Sequence, residues 1–242
     1  MNMSNFDNQA RPISYQPNMV GTVGVVASFM NGVYAWMCVG LMLTAIVAWV
    51  TSQNAAMRQM VSSPGVWIAL VIAELGLVWV ISGMIQRLSA TTATALFVLY
   101  AALNGLTLSA IFLIYKLDTI GGAFLITGGT FGITSLYGFV TKRDLSGLRG
   151  ILMMGLIGLI LATVVNIFVA SSMLYWIINY AGVLLFVGLT AYDTQKLKDI
   201  ALQTQGDSAM AGRMAVYGSL VLYLDFINLM LFILRIMGDK RR

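Results

Sequence analysis

Histidine is absent from this 242-residue chain, and cysteine occurs once, at Cys38. Without histidine there is no His-dependent catalytic triad. With a single cysteine there is no disulfide within the chain and no Cys/His zinc site. Cys38 lies between Met37 and Val39 in an apolar run and reads as a small packing residue. Charge is scarce as well: 10% of the residues are charged, where soluble domains carry roughly 25%. No basic face or stripe is visible, which argues against nucleic-acid binding. Residues 1–18 are polar, with Pro12 and Pro17, and lack the basic-then-apolar order of a secretory leader.

What the chain has in abundance is apolar surface. Hydrophobic residues make up 59% of it, more than one soluble core can hide, so lipid has to be part of its solvent. Apolar runs long enough to cross a bilayer occur seven times, at about residues 32–50, 66–84, 92–115, 119–140, 150–170, 174–192 and 214–234. Connections are short, so successive helices should be antiparallel neighbours. The longest breaks are residues 51–65 and the polar stretch 202–212. No internal repeat is visible.

The expected organisation is a flexible polar arm over residues 1–30, one seven-helix membrane domain over 31–238, and a basic tail over 239–242. The tail's Lys240, Arg241 and Arg242 read as a headgroup contact. Basic residues fix the direction. With a cytoplasmic N-terminus, eight of them fall inside and two outside before the last span begins. The basic C-terminus opposes that bias. A crossing last span is preferred to a re-entrant one, because the run is continuous and contains no proline.

Small residues at GxxxG-like spacing (Gly128 with Gly132, Gly155 with Gly158) read as helix-packing positions. Asn104 and Asn166 read as interhelical hydrogen-bonding groups, or as parts of a polar path.

Three carboxylates lie within or at the end of a span: Glu74, Asp193 and Asp225. Asp225 sits near the middle of Met214–Leu234, 21 residues with no other charge. A carboxylate facing lipid is costly, so these acids should face other helices or water, and they are functional candidates. Gly218, Asp225 and Asn228 share one helical face, with Gly218 small enough to admit a neighbour beside the acid. Phe186, Leu189, Thr190 and Asp193 share another. Whether the two aspartates meet is open at this level. Asp193 lies about 5 Å along its helix from Lys196, whereas Asp225 lies about 18 Å from Arg213.

The motifs GLTAYDTQKLK (188–198) and LYLDFINLMLFILRIMG (222–238) resemble, together, the signatures of the Bax inhibitor-1 family in its bacterial branch. Further similarity covers residues 35–49, 85–112 and 135–147, so the resemblance spans nearly everything after residue 30. It implies an all-α integral membrane protein of seven transmembrane helices, six packed around a central seventh. It also implies that Asp193 and Asp225 form a proton-sharing pair, acting as a pH sensor that gates a passive calcium leak. A basic residue near the end of the second span is the family's latch on that pair, and here the only match is Arg87. Glu74, Asn104 and Asn228 are candidates for the ion path.

The physics fits such a role. Two carboxylates at hydrogen-bond distance in low dielectric share a proton more cheaply than both ionise. Calcium prefers several oxygen ligands, so Asp193 and Asp225 alone would make a weak, transient site. No cofactor is expected beyond calcium as the transported ion. The expected location is the bacterial inner membrane, with lipid and calcium as partners and the N-terminus cytoplasmic. A second reading, also from the resemblance, is a regulator that binds a membrane-anchored ATP-dependent (AAA) protease through the N-terminal arm. A third is an intramembrane aspartyl protease. Tyr192-Asp193 fits the first half of that signature, but the second half needs GxGD, and residues 222–225 contain no glycine. The expectation is therefore a protein that is not an enzyme.

Overall fold

The computed structural model describes residues 19–238, and among them it is all helix, with no strand. The long helices are α1 (Met19–Gln53), α3 (Pro64–Met84), α4 (Ala90–Leu108), α6 (Leu117–Val140), α7 (Arg149–Val169), α8 (Ser172–Gln203) and α9 (Ser208–Met237). Short helices α2 (Ala55–Ser62) and α5 (Ile111–Ile114), with one 3-10 turn at Ser146–Leu148, occupy connections. Seven helical segments are long and apolar enough to cross a membrane. They fall on the seven runs read from the sequence.

Local signals set the ends. Asn54 accepts hydrogen bonds from the Ala56 and Met57 amides at the start of α2, and Pro64 opens α3, where its missing N–H costs nothing. Ser89, Ser171 and Asp207 cap α4, α8 and α9 in the same way. The turn from α8 to α9 takes only residues 204–207. Gly206 adopts a φ of 94° there, a conformation open to glycine and costly for other residues.

Three helices run beyond the expected spans. α1 begins at Met19 and so takes in much of the expected 1–30 arm; residues 1–18, and the tail residues 239–242, lie outside the described residues. α8 continues past Tyr192 to Gln203, and α9 starts at Ser208, which shortens the expected 202–212 break to four residues. The α8 and α9 extensions carry polar and charged residues, so a search for unbroken apolar runs passes over them, whereas the α1 extension is uncharged and its apolar segment already begins at Gly24. Val26, Phe29, Met30, Val33 and Met37 recur at helical spacing and are all buried. The 51–65 break is likewise not an open loop, since α2 fills it.

The last helix is the most buried of the seven and stands at the centre. It packs against α1, α4, α6 and α8, and more lightly against α3, while α7 lies outside on α8. It is unbroken from Ser208 to Met237, about 45 Å at the α-helical rise. This is the form of a crossing span and not of a re-entrant one.

Of the four glycines at GxxxG-like spacing, Gly155 marks a close approach, since a Cβ there would meet Leu185 Cδ1 at 3.0 Å, and the other three do not. Gly128, Gly132 and Gly158 have open space where a Cβ would stand, so they do not mark helix contacts. Gly138 lies against the Ala191 backbone, joining α6 to α8. A Cβ at Gly105 would meet the Thr44 carbonyl oxygen at 2.8 Å, joining α4 to α1.

Candidate functional site

Asp193 and Asp225 sit on the seam between α8 and α9. The register of that seam is set by aromatic and small residues. The Phe186 and Phe232 rings stack with centroids 5.8 Å apart, and a Cβ at Gly182 would meet the Phe232 ring at 2.7 Å. Further along, a Cβ at Gly218 would meet Leu197 Cδ2 at 2.7 Å and Val33 Cγ2 at 3.2 Å, so α8, α9 and α1 close tightly there. Asp193 is seven residues beyond Phe186, and Asp225 is seven residues before Phe232. In an antiparallel pair, two such steps return to the same faces at matching depth. The two carboxylates therefore face one another across the seam.

The separate depths counted from the basic residues misled because both helices run on past the membrane ends assumed for them. The hairpin geometry, and not the nearest basic residue, fixes the register.

Asp225 is buried at 5% exposure, and its Oδ2 has no hydrogen-bond partner among the described residues. Asp193 is half-buried. The Asp193 carboxylate is the charge that acts on Asp225, and Lys196 acts on Asp193. An unpartnered buried carboxylate oxygen is costly to maintain. A proton bridging to the neighbouring carboxylate would satisfy it. Among the described residues no three His, Cys, Asp or Glu side chains gather in one place. A cation at the seam would meet two carboxylates and complete its shell with water or neutral oxygens.

A row of hydroxyl groups ends at Thr194, the residue after Asp193. The Tyr34 hydroxyl lies 2.6 Å from Ser135 Oγ, which lies 2.9 Å from Thr194 Oγ1, beside Asp193. The 141–148 connection is pinned to α8 by Gln195. Its Oε1 accepts from the Leu145 amide at 2.8 Å, and its Nε2 donates to the Arg143 carbonyl at 2.8 Å. In the same connection, exposed Asp144 accepts from the Ser146 amide, which holds its carboxyl below the usual carboxylate range. That contact is intact at neutral pH and is lost as the pH falls through the lowered value.

The remaining candidates lie elsewhere. Arg87 is exposed on the turn after α3 and is not among the charges acting on the aspartates. A different arginine ties that turn to the central helix: Arg213 Nη1 donates to the Gln86 carbonyl at 3.2 Å and to Leu88 at 3.5 Å. In the sequence Arg213 served as a charge to be counted and as a depth marker for Asp225, not as a tether. Asn228 donates to the Leu224 carbonyl of its own helix at 2.8 Å. Asn166 accepts from the Ser171 amide and so caps the α7–α8 turn instead of bridging distant helices. Glu74 is bound by α4, through Asn104 and Thr107, on the opposite side of α9 from Asp225.

The family model described as inhibitor of apoptosis-promoting Bax1 matches residues 26–242. Inner membrane protein YbhL of Escherichia coli K12 is 51% identical over 216 residues, covering 88% of this chain and 92% of that protein. A Deinococcus radiodurans protein is 47% identical over 221 residues, covering 91% and 94% respectively. A Borreliella burgdorferi protein is 44% identical over 214 residues, covering 88% and 92%.

Proposed function

Since the chain belongs to the Bax inhibitor-1 family, we propose that this multi-pass membrane protein is a pH-sensitive calcium (cation) leak channel of the bacterial inner membrane, gated by Asp193 and Asp225. The observation that carries this reading is the facing placement of the two acids on one helix seam, with one oxygen of the buried member unpartnered.

The gate follows from the pair's two charge states. With one proton between them the carboxylates attract, and α8 and α9 stay closed around Gly218 and the Phe186–Phe232 stack. When that proton leaves, two like charges face one another in low dielectric and push the helices apart. The same event exposes two carboxylates to a passing cation, which they bind weakly enough to release. Flux should therefore rise as the pH rises. In this reading no covalent step is catalysed, and the N-terminus lies in the cytoplasm together with the α8–α9 turn.

The test is calcium uptake by calcium-free vesicles holding the purified protein, followed across the acid-to-neutral range. Uptake that rises with pH, and whose pH response disappears in the Asp193→Asn/Asp225→Asn double variant, is the expected result. Flux with an unaltered pH response in that variant overturns the reading.

A further inference from the structure

On the other face of the central helix a second acid is built into a chain of hydrogen bonds that the aspartate gate does not use. Glu74 of α3 accepts from Thr107 Oγ1 at 2.5 Å and meets the Asn104 amide at 3.2 Å. The far end of that amide lies 3.0 Å from the Tyr223 hydroxyl of α9. Tyr223 in turn lies 2.7 Å from Thr44 Oγ1 of α1, which lies 2.8 Å from the Ala101 carbonyl. Asn104, Thr44 and Tyr223 are buried, Tyr223 completely.

Protons can be counted along this chain. If Glu74 is a carboxylate, Asn104 must donate to it and turn its carbonyl end towards Tyr223. Tyr223 and Thr44 then hold two protons between them, for three contacts: to Asn104, to each other and to Ala101. One contact is left without a proton.

If Glu74 is protonated, the amide turns end for end, which its near-symmetric shape allows. Glu74 then donates to Asn104, Asn104 to Tyr223, Tyr223 to Thr44, and Thr44 to Ala101. Every contact has one proton, and Thr107 still donates to the other oxygen of Glu74. The titratable groups facing Glu74 are Tyr100 of α4 and Tyr223 of α9, and among the described residues no lysine or arginine charge acts on it. An unpaired carboxylate at this depth would be costly, and the chain has a place for the proton that removes it.

We infer that Glu74 is a second proton-binding site, neutral at neutral pH, whose proton completes the chain through Asn104, Tyr223 and Thr44 that locks α3, α4 and α1 to the central helix. Glu74 is then no calcium ligand in this state, because both of its oxygens are engaged. Asp225 presents a free oxygen on one face of α9 and Tyr223 an engaged hydroxyl on the other, so the central helix is held between two proton-dependent contacts. This inference stands apart from the leak reading, and either can fail alone.

Glu74 is the only glutamate in the chain, so a carboxyl-13C glutamate label introduced by cell-free synthesis reports on it without any substitution. In lipid at neutral pH, its carbon resonance is expected at the position of a protonated acid, moving to the carboxylate position on alkalinisation. A carboxylate resonance at neutral pH overturns the inference. In labelled Tyr223→Phe the aromatic ring is kept while the hydroxyl that turns Asn104 is gone. There the carboxylate is expected to appear at lower pH than in the unaltered protein. An unchanged titration overturns the part of the inference that assigns the proton to the chain.

Discussion

Asparagine at either Asp193 or Asp225 is expected to flatten the pH response of calcium flux, and both together to do no more than either alone. The reason is that the gate belongs to the pair. Removing one carboxylate leaves an amide that hydrogen-bonds the survivor, so α8 and α9 no longer have a like-charged state to separate them. Every 1.36 kcal/mol by which the second charge biases the seam is worth about tenfold in the open population. The expected change is therefore at least about tenfold in the ratio of neutral to acid flux, collapsing to about unity in each variant. Residues acting as one unit are non-additive, and a double variant no worse than the singles is the mark of that. Vesicle flux for the two singles and the double decides it. Two partial, additive losses would mean that each aspartate acts by itself.

Tyr223→Ala should be among the most destabilising substitutions in the chain. The side chain is fully buried on the central helix, and its ring makes edge contacts with Phe97 and Tyr100 at centroid distances of 5.8 and 5.7 Å. Truncating a large buried aromatic costs about 3–5 kcal/mol through lost contacts and the cavity left behind. Here Asn104 and Thr44 also lose their partner. Tyr223→Phe keeps the ring and should cost only about 1–3 kcal/mol, the penalty for stranding a buried polar group. Unfolding of the two variants by denaturant in detergent micelles measures the difference. Equal losses would show that the hydroxyl chain, and not ring packing, dominates the site.

Much of this architecture is legible in the residues. The seven crossings follow from run length, and Asp225 draws notice because a lone acid in hydrocarbon needs a reason. Helix ends are less legible where membrane segments run on as amphipathic helices. The α8 extension mixes charged residues with buried Leu197 and Ala201, which an apolar-run criterion does not see. Val26, Phe29, Met30 and Val33 of α1 lie in an uncharged segment that the polar residues before it disguise as an arm. Glycine spacing misleads for a related reason. Gly128 and Gly132 share a face, but which face meets a neighbour is decided by the partner, and the close contacts fall at Gly138, Gly105 and Gly182.

The aspartate pair shows the limit most clearly. Its register rests on one aromatic stack and two glycine contacts between helices that are far apart in depth when each is measured from its own basic residues. The Glu74 chain draws on four helices, and no local pattern announces an assembly of that kind.

At the base of the account is the claim that two acids on facing helices hold a proton jointly, so that neither has a titration of its own. The carboxyl titration of Asp225, followed by carbon NMR in lipid with and without the Asp193→Asn change, tests it most directly. The account predicts that the Asp225 curve moves by about one pH unit or more when its neighbour becomes an amide. Superimposable curves would contradict it.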